Sequence, residues 1–225
     1  MTEQLEKFLG VPISKVTTSA LETVYMVGWS LLIGAVIGFV LAVFLWLCRK
    51  DGLKRNDVLY FILNGIINII RSTPFIILMV SVMPLTKLLI GTRIGTKACL
   101  VPLVIFISPY FARLIESALL EVDSGIIEAA QSMGATTFQI ITQFLFPEAF
   151  GSMILGITTG TVGLIGATAM AGYIGGGGVG NLALTYGYQT FNTNLMIFTV
   201  IILIIFVQIV QTIGNKAAQK RRMHS

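Results

Sequence analysis

The stretch AFGSMILGITTGTVGLIGATAMAGYIGGGGVGNLALTYGYQTFNTNLMIFTVIILIIFVQIVQTIGN, Ala149 to Asn215, runs for 67 residues without Asp, Glu, Lys or Arg. A surface facing water carries charge at far shorter intervals, so this stretch predicts residence in a bilayer. The rest of the chain agrees. Of its 225 residues 55% are hydrophobic and 11% charged, and the mean hydropathy is +0.88, whereas soluble domains carry about a quarter charged residues. The sequence is read as an all-α polytopic membrane protein, long enough for several spans of about 20 residues and too short for a large extramembrane catalytic domain. Its net charge of +5 comes from basic residues beside apolar segments, which serves membrane orientation and argues against nucleic-acid binding.

Working outward from the chargeless stretch, five spans are predicted. The first runs from Ser19, with Ser19 and Glu22 as a capping box, to about Leu47. The second, Val58 to about Leu88, contains Arg71 and Pro74; the third, Ala98 to Leu120, contains Pro102, Pro109 and Arg113. Both are expected to be kinked or locally opened. The fourth covers about Phe144 to Met170 and the fifth about Thr193 to Gly214. Residues 1–18 form an outer segment in which Leu5, Phe8 and Leu9 fit either a short interfacial helix or a loosely ordered terminus; 215–225 is a basic tail. With the N-terminus outside, eight basic residues fall on inner segments (Arg49, Lys50, Lys54, Arg55 and the tail) against five outside (Lys7, Lys15, Lys87, Arg93, Lys97). The positive-inside rule therefore predicts an N-out, C-in protein.

Neither cysteines nor histidine suggest chemistry. Cys48 and Cys99 end different apolar segments on opposite faces, and His224 stands in the tail without neighbouring ligands, so no metal site and no cofactor site is expected. An intramembrane enzyme is disfavoured because no Ser/His, paired Asp or metal-ligand group occurs in the apolar stretches. The fourth span carries Gly151, Gly156, Gly160, Gly163 and Gly166 with Ala167, Ala169 and Ala171, a ladder of small residues for close helix approach, either within the subunit or along a dimer axis or path.

The segment Glu121–Pro147 reads as an organised loop. Asp123 or Ser124 can cap a short helix, Gly134 can end it with positive φ, and Thr136 with Gln139 forms a second capping box. Two short helices joined by a glycine turn follow, on the cytoplasmic side of the predicted topology. Partner docking or an interfacial helix on lipid both fit such a structure.

Glu128-Ala129-Ala130, then Gly134, then Pro147 resemble the cytoplasmic EAA loop of the integral-membrane subunits of ATP-binding-cassette importers. Phe144 and Phe146 stand where that family more often has an aliphatic pair. The resemblance implies that Glu128, Ala129, Ala130, Gly134 and Pro147 couple the spans to an ATPase subunit. Two further strings are similar to methionine-importer permeases: Arg71-Ser72-Thr73-Pro74-Phe75-Ile76-Ile77-Leu78, and Gly172 to Ala183 followed by Tyr186-Gly187-Tyr188-Gln189. The family implies a type I importer permease fold in the bacterial inner membrane, working as a homodimer with two cytoplasmic ATP-binding subunits and an external methionine-binding lipoprotein. It also implies that the chain is not itself an enzyme, ATP and magnesium being bound by the partner, and that L- and D-methionine cross by alternating access. A permease for another amino acid, or an autonomous secondary transporter or channel, are the competing readings; five spans do not divide into two equal repeats, and buried acids are nearly absent.

Arg71, thirteen residues into its apolar stretch, would cost on the order of 3 kcal/mol unpaired, so it is expected at a gate or structural polar site, or snorkelling. Arg113 and Glu116, spaced i,i+3, are expected to satisfy each other. Six glycines within Gly172–Gly180 forbid a stable helix interior and predict an opened backbone at the outer mouth, with Gly175, Gly176, Gly177 and Gly178 at its centre. Met170, Tyr173 and Asn181 are candidates for the walls of a path suited to an unbranched thioether.

Overall fold

The computed structural model describes residues 2–222, without the side chains of Thr2, Leu5, Tyr173, Ile174, Arg221 and Arg222; His224 lies outside the described residues. All regular structure among them is helical: α1 (Thr2–Leu9), α2 (Ile13–Cys48), α3 (Asp57–Ser72), α4 (Phe75–Ser81), α5 (Met83–Ile90), α6 (Thr96–Leu120), α7 (Ser124–Ser132), α8 (Thr137–Gln139), α9 (Phe146–Ala171), α10 (Gly178–Asn181) and α11 (Thr193–Arg222). Wider π turns occupy Ile140–Leu145, Gly172–Gly176 and Leu182–Tyr188. Among the described residues four helices are long and apolar enough to cross a membrane, and a fifth crossing results if the bent pair α3 and α4 counts as one.

Two boundaries correct the sequence expectation, and the break expected in the second stretch is present. The first membrane helix begins at Ile13, not at Ser19, because its N-terminus is capped from outside: the Ile13 amide donates to Glu6 Oε1 of α1 at 2.9 Å. Ser19 and Glu22 thus lie inside the helix, and their capping box does not form. The second apolar stretch is broken, bending by 109° between Ser72 and Phe75. Pro74 has no amide to donate and pushes Thr73 out of the helical region, while its own φ of −54° and ψ of 136° start α4 afresh. Finally, the second short helix of the loop does not stand apart from the fourth span. Residues from Thr137 to Ala171 are continuous, with the π turn 140–145 just ahead of Pro147. A proline ring clashes with the carbonyl four residues back, and a widened turn relieves that clash; here the Phe146 amide reaches the Ile141 carbonyl, five residues back.

The chain separates into two compact units. The first comprises Met1–Ile33, Thr73–Ile107 and Thr161–Val210. Its buried cluster joins Leu9, Val11 and Val16 to Leu182 and Leu195, and Asn192 Nδ2 donates to the Leu9 carbonyl at 2.7 Å, so the N-terminal helix is built into the unit. Lys15 lies over the Tyr186 ring at 3.3 Å. The second unit comprises Gly34–Ser72, Ser108–Gly160 and Gln211–Ser225. There Leu45, Ile67 and Ala112 form the core and the Phe39 and Phe146 rings pack at 4.7 Å. Part of the small-residue ladder serves this packing: a side chain at Gly156 would press on Leu114, and one at Gly160 would collide with Phe111. Gly163 and Gly166, further along α9, face open space.

Candidate functional site

The loop after α6 is built by its own sequence. Asp123 caps α7, accepting from the Gly125 amide at 2.6 Å. At the other end Gly134 has φ +79° and the Ala135 amide donates to the Ala130 carbonyl at 3.0 Å, closing the helix with a left-handed residue. Thr136 and Gln139 then make the reciprocal capping box, the Thr136 amide donating to Gln139 Oε1 at 2.8 Å and the Gln139 amide to Thr136 Oγ1 at 3.3 Å. Short-range hydrogen bonds therefore fix the whole elbow between α7 and the rod that becomes α9.

The predicted loop residues divide by face. Ala130 is fully buried, whereas Glu128, Ala129 and Gly134 are exposed. Met133 and Phe138, on either side of the elbow, are 70% and 74% exposed. Glu128 also borders a cleft of about 510 Å³ with Trp46, Arg49 and Gln131. A rigid knob with an acidic and apolar outer surface is the result. Pro147 is not on that knob; its contribution is the π turn at the base of α9.

Arg71 occupies the last turn of α3 rather than the middle of a span, because the helix stops at Ser72. A cation there complements the helix dipole. Its guanidinium stands 5.7 Å from the Tyr110 ring centroid and is exposed. Arg113 and Glu116 form the expected pair at 2.6 Å, and Arg113 also donates to Asn64 and, at 3.3 Å, to Asn68 of α3. Glu116 is only 4% exposed, so the network stitches α3 to α6 inside the second unit.

The glycine-rich run opens as expected. Gly175, Gly177 and Gly178 have φ of +90°, +77° and +81°, and Gly177 breaks the helix between two π turns. Of the candidates around it, Met170 is 46% exposed and follows Gly163 and Gly166 along the open side of α9. Asn181 instead spends its side chain locally, its Oδ1 accepting from Thr185 Oγ1 at 2.8 Å. The Tyr173 side chain lies outside the described residues. Gly175 is tied by its carbonyl, which accepts from the Gly95 amide at 3.0 Å, and Gly176 is packed on Cys99.

Four polar residues have roles here that were not read from the sequence, Glu22 among them, which was assigned to a capping box instead. Glu22 and Thr23 of α2 accept from the Gly178 and Val179 amides at 2.7 and 2.9 Å. Asn64 and Asn68 complete the Arg113 network. A signal existed for Glu22: between Lys15 and Arg49 it is the one charged residue, and a lone acid in an apolar helix needs a partner.

Residues 34–222 match the family described as "Binding-protein-dependent transport system inner membrane component". The chain belongs to this family. It is a multi-pass inner-membrane transport protein, in agreement with the resemblance read from the loop. "Probable D-methionine transport system permease protein MetI" of Vibrio cholerae is 46% identical over 203 residues, 90% of each chain. "Methionine import system permease protein MetP" of Bacillus subtilis is 44% identical over 208 residues, 92% of this chain and 94% of that one. A solved structure described as "Inward facing conformations of the MetNI methionine ABC transporter: CY5 native crystal form" superposes with a TM-score of 0.90 at 36% identity, covering 98% of this permease and 99% of that chain. An amino acid ABC transporter with histidines, 17% identical with a TM-score of 0.77, shares the fold.

Proposed function

We propose that this permease imports methionine, in L and D forms, as a homodimer driven by two cytoplasmic ATP-binding subunits and fed by an external methionine-binding lipoprotein. The observation that carries the coupling half of this reading is the pre-built elbow: a capped helix with Glu128 and Ala129 outward and Ala130 buried, joined through Gly134 to a rod continuous with α9. Such a knob transmits a displacement without absorbing it, as a flexible loop would not. The substrate rests on the relatives, whose names state methionine transport at 44–46% identity. In this scheme ATP and magnesium bind the partner, and closure of the partner moves α7. The permease needs no cofactor of its own. It lies N-out and C-in, with Arg71 at a polar position of the route, and Met170 and the open glycine face of α9 along the path.

The test is uptake of labelled methionine, and substrate-stimulated ATP hydrolysis, by the complete complex in proteoliposomes, against glutamine, histidine and lysine. Methionine preference with uptake abolished by removal of the partner's catalytic glutamate is the expected result. Equal response to all four amino acids overturns the substrate, and gradient-driven uptake without hydrolysis overturns the coupling.

A further inference from the structure

The Gly172–Gly180 run is mostly backbone. Six of its nine residues are glycine, and three of them have φ between +77° and +90°. Backbone packs closely around it, a Cβ at Gly172 meeting Asn181 and one at Gly180 meeting Ala169, and hydrogen bonds to its backbone add to that packing. One is the Gly95 amide on the Gly175 carbonyl, at 3.0 Å. The other two come from consecutive residues of α2: Glu22 Oε2 accepts from the Gly178 amide at 2.7 Å and Thr23 Oγ1 from the Val179 amide at 2.9 Å.

The fit is close on both sides. A Cβ at Gly177 would collide with the Glu22 carboxylate, and one at Gly178 would approach Thr23 Oγ1 to 2.8 Å and Met26 Cε to 2.9 Å. Thr23 is 3% exposed and its hydroxyl hydrogen is already committed to the Ser19 carbonyl, at 3.1 Å, leaving its lone pair for Val179. Glu22 is the sole Asp, Glu, Lys or Arg between Lys15 and Arg49, held in an apolar helix where a charge is tolerated only with a partner. The π turns 172–176 and 182–188 flank the tethered residues; such turns are rare and frequently sit at functional sites.

We infer that Glu22 and Thr23 are positioning residues for transport: they latch the glycine turn that follows α9, and their two hydrogen bonds are released and remade in each cycle. The turn continues α9, and α9 continues the α8 elbow, so a pull at the loop arrives at a glycine segment anchored to α2 by these two hydrogen bonds. That combination gives two discrete arrangements, latched and free. The inference rests on the import reading for its transport arm only.

Hydrogen exchange at the Gly178 and Val179 amides of the complete complex, nucleotide-free and trapped with ATP and vanadate, tests the latch without any substitution. Protection is expected to differ by about tenfold or more between the two states, the scale of losing a charge-assisted hydrogen bond. Equal protection in both overturns the release. Glu22→Ala is expected to speed exchange at Gly178 by about tenfold in the latched state, while Glu22→Gln, whose carboxamide oxygen still accepts, stays near wild type. In proteoliposomes the same Glu22→Ala complex is expected to import several-fold less methionine per ATP hydrolysed, with Glu22→Gln restoring most of it. Faster exchange with an unchanged ratio overturns the role in transport. A wild-type complex that hydrolyses ATP but imports no methionine instead sinks the import reading, while the exchange arm still decides the latch.

Discussion

At the scale of single residues, the loop shows how one backbone angle is worth more than a side chain. Gly134 has φ +79° and nothing within 4 Å of where a Cβ would stand, so substitution there is opposed by conformation alone and not by crowding. An L residue pays about 1–2 kcal/mol to hold that angle, and Asn less than Ala because its short polar side chain tolerates the left-handed region. Gly134→Ala is therefore expected to loosen the elbow, lowering ATP-coupled uptake, with Gly134→Asn between it and wild type. Uptake per hydrolysed ATP in proteoliposomes checks the order; Ala equal to Asn and wild type removes the elbow from the coupling path. This glycine was legible in the sequence because its signal is local: Asp123 before it and Thr136 and Gln139 after it bracket one turn. The partner of Glu22 was not, since the lone acid announces a need for one but its acceptor role joins residues 156 positions apart.

Among the elements, α3 and α6 are joined by the pair whose spacing was visible and by two asparagines whose part was not. Arg113 and Glu116 lie one turn apart on α6, so their contact follows from helical geometry. The donation to Asn64 and Asn68 depends on how α3 packs against α6, which the sequence does not encode in any window. The break in the second stretch was legible, since Arg71-Ser72-Thr73-Pro74 interrupts its apolar run and Pro74 ends a helix, but the size of the bend, 109°, was not. Removing one partner of a buried pair leaves the other charge uncompensated. Glu116→Ala is thus expected to destabilise the permease by about 3–5 kcal/mol, with Arg113→Met and Glu116→Leu together costing clearly less than Glu116→Ala alone. Denaturation of the purified complex in detergent measures both. A double variant no more stable than the single one would mean that the asparagine contacts, not the charge, hold the two helices.

For the whole molecule, hydropathy fixes the crossings but charge sets their direction. α11 exposes Ile197, Ile201, Ile204, Ile205, Ile209 and Ile213, a surface suited to hydrocarbon, and then continues as helix into the basic tail. Five crossings, with the bent pair counted as one, put the two ends on opposite sides. In the proposed N-out, C-in orientation the tail and the 49–55 loop share the cytoplasmic side, and the elbow falls there with them. The same proposal puts the turn before α11 on the outer side, where Phe191 is 91% exposed with φ +54°. Single cysteines separate the two orientations, and the background is small because native Cys48 and Cys99 are 6% and 5% exposed. In right-side-out vesicles a membrane-impermeant thiol reagent is expected to label Phe191→Cys and to spare Gln131→Cys, and in inverted vesicles the reverse. Labelling of Gln131→Cys from outside would turn the protein over, and with it place the elbow beyond the reach of any cytoplasmic ATPase.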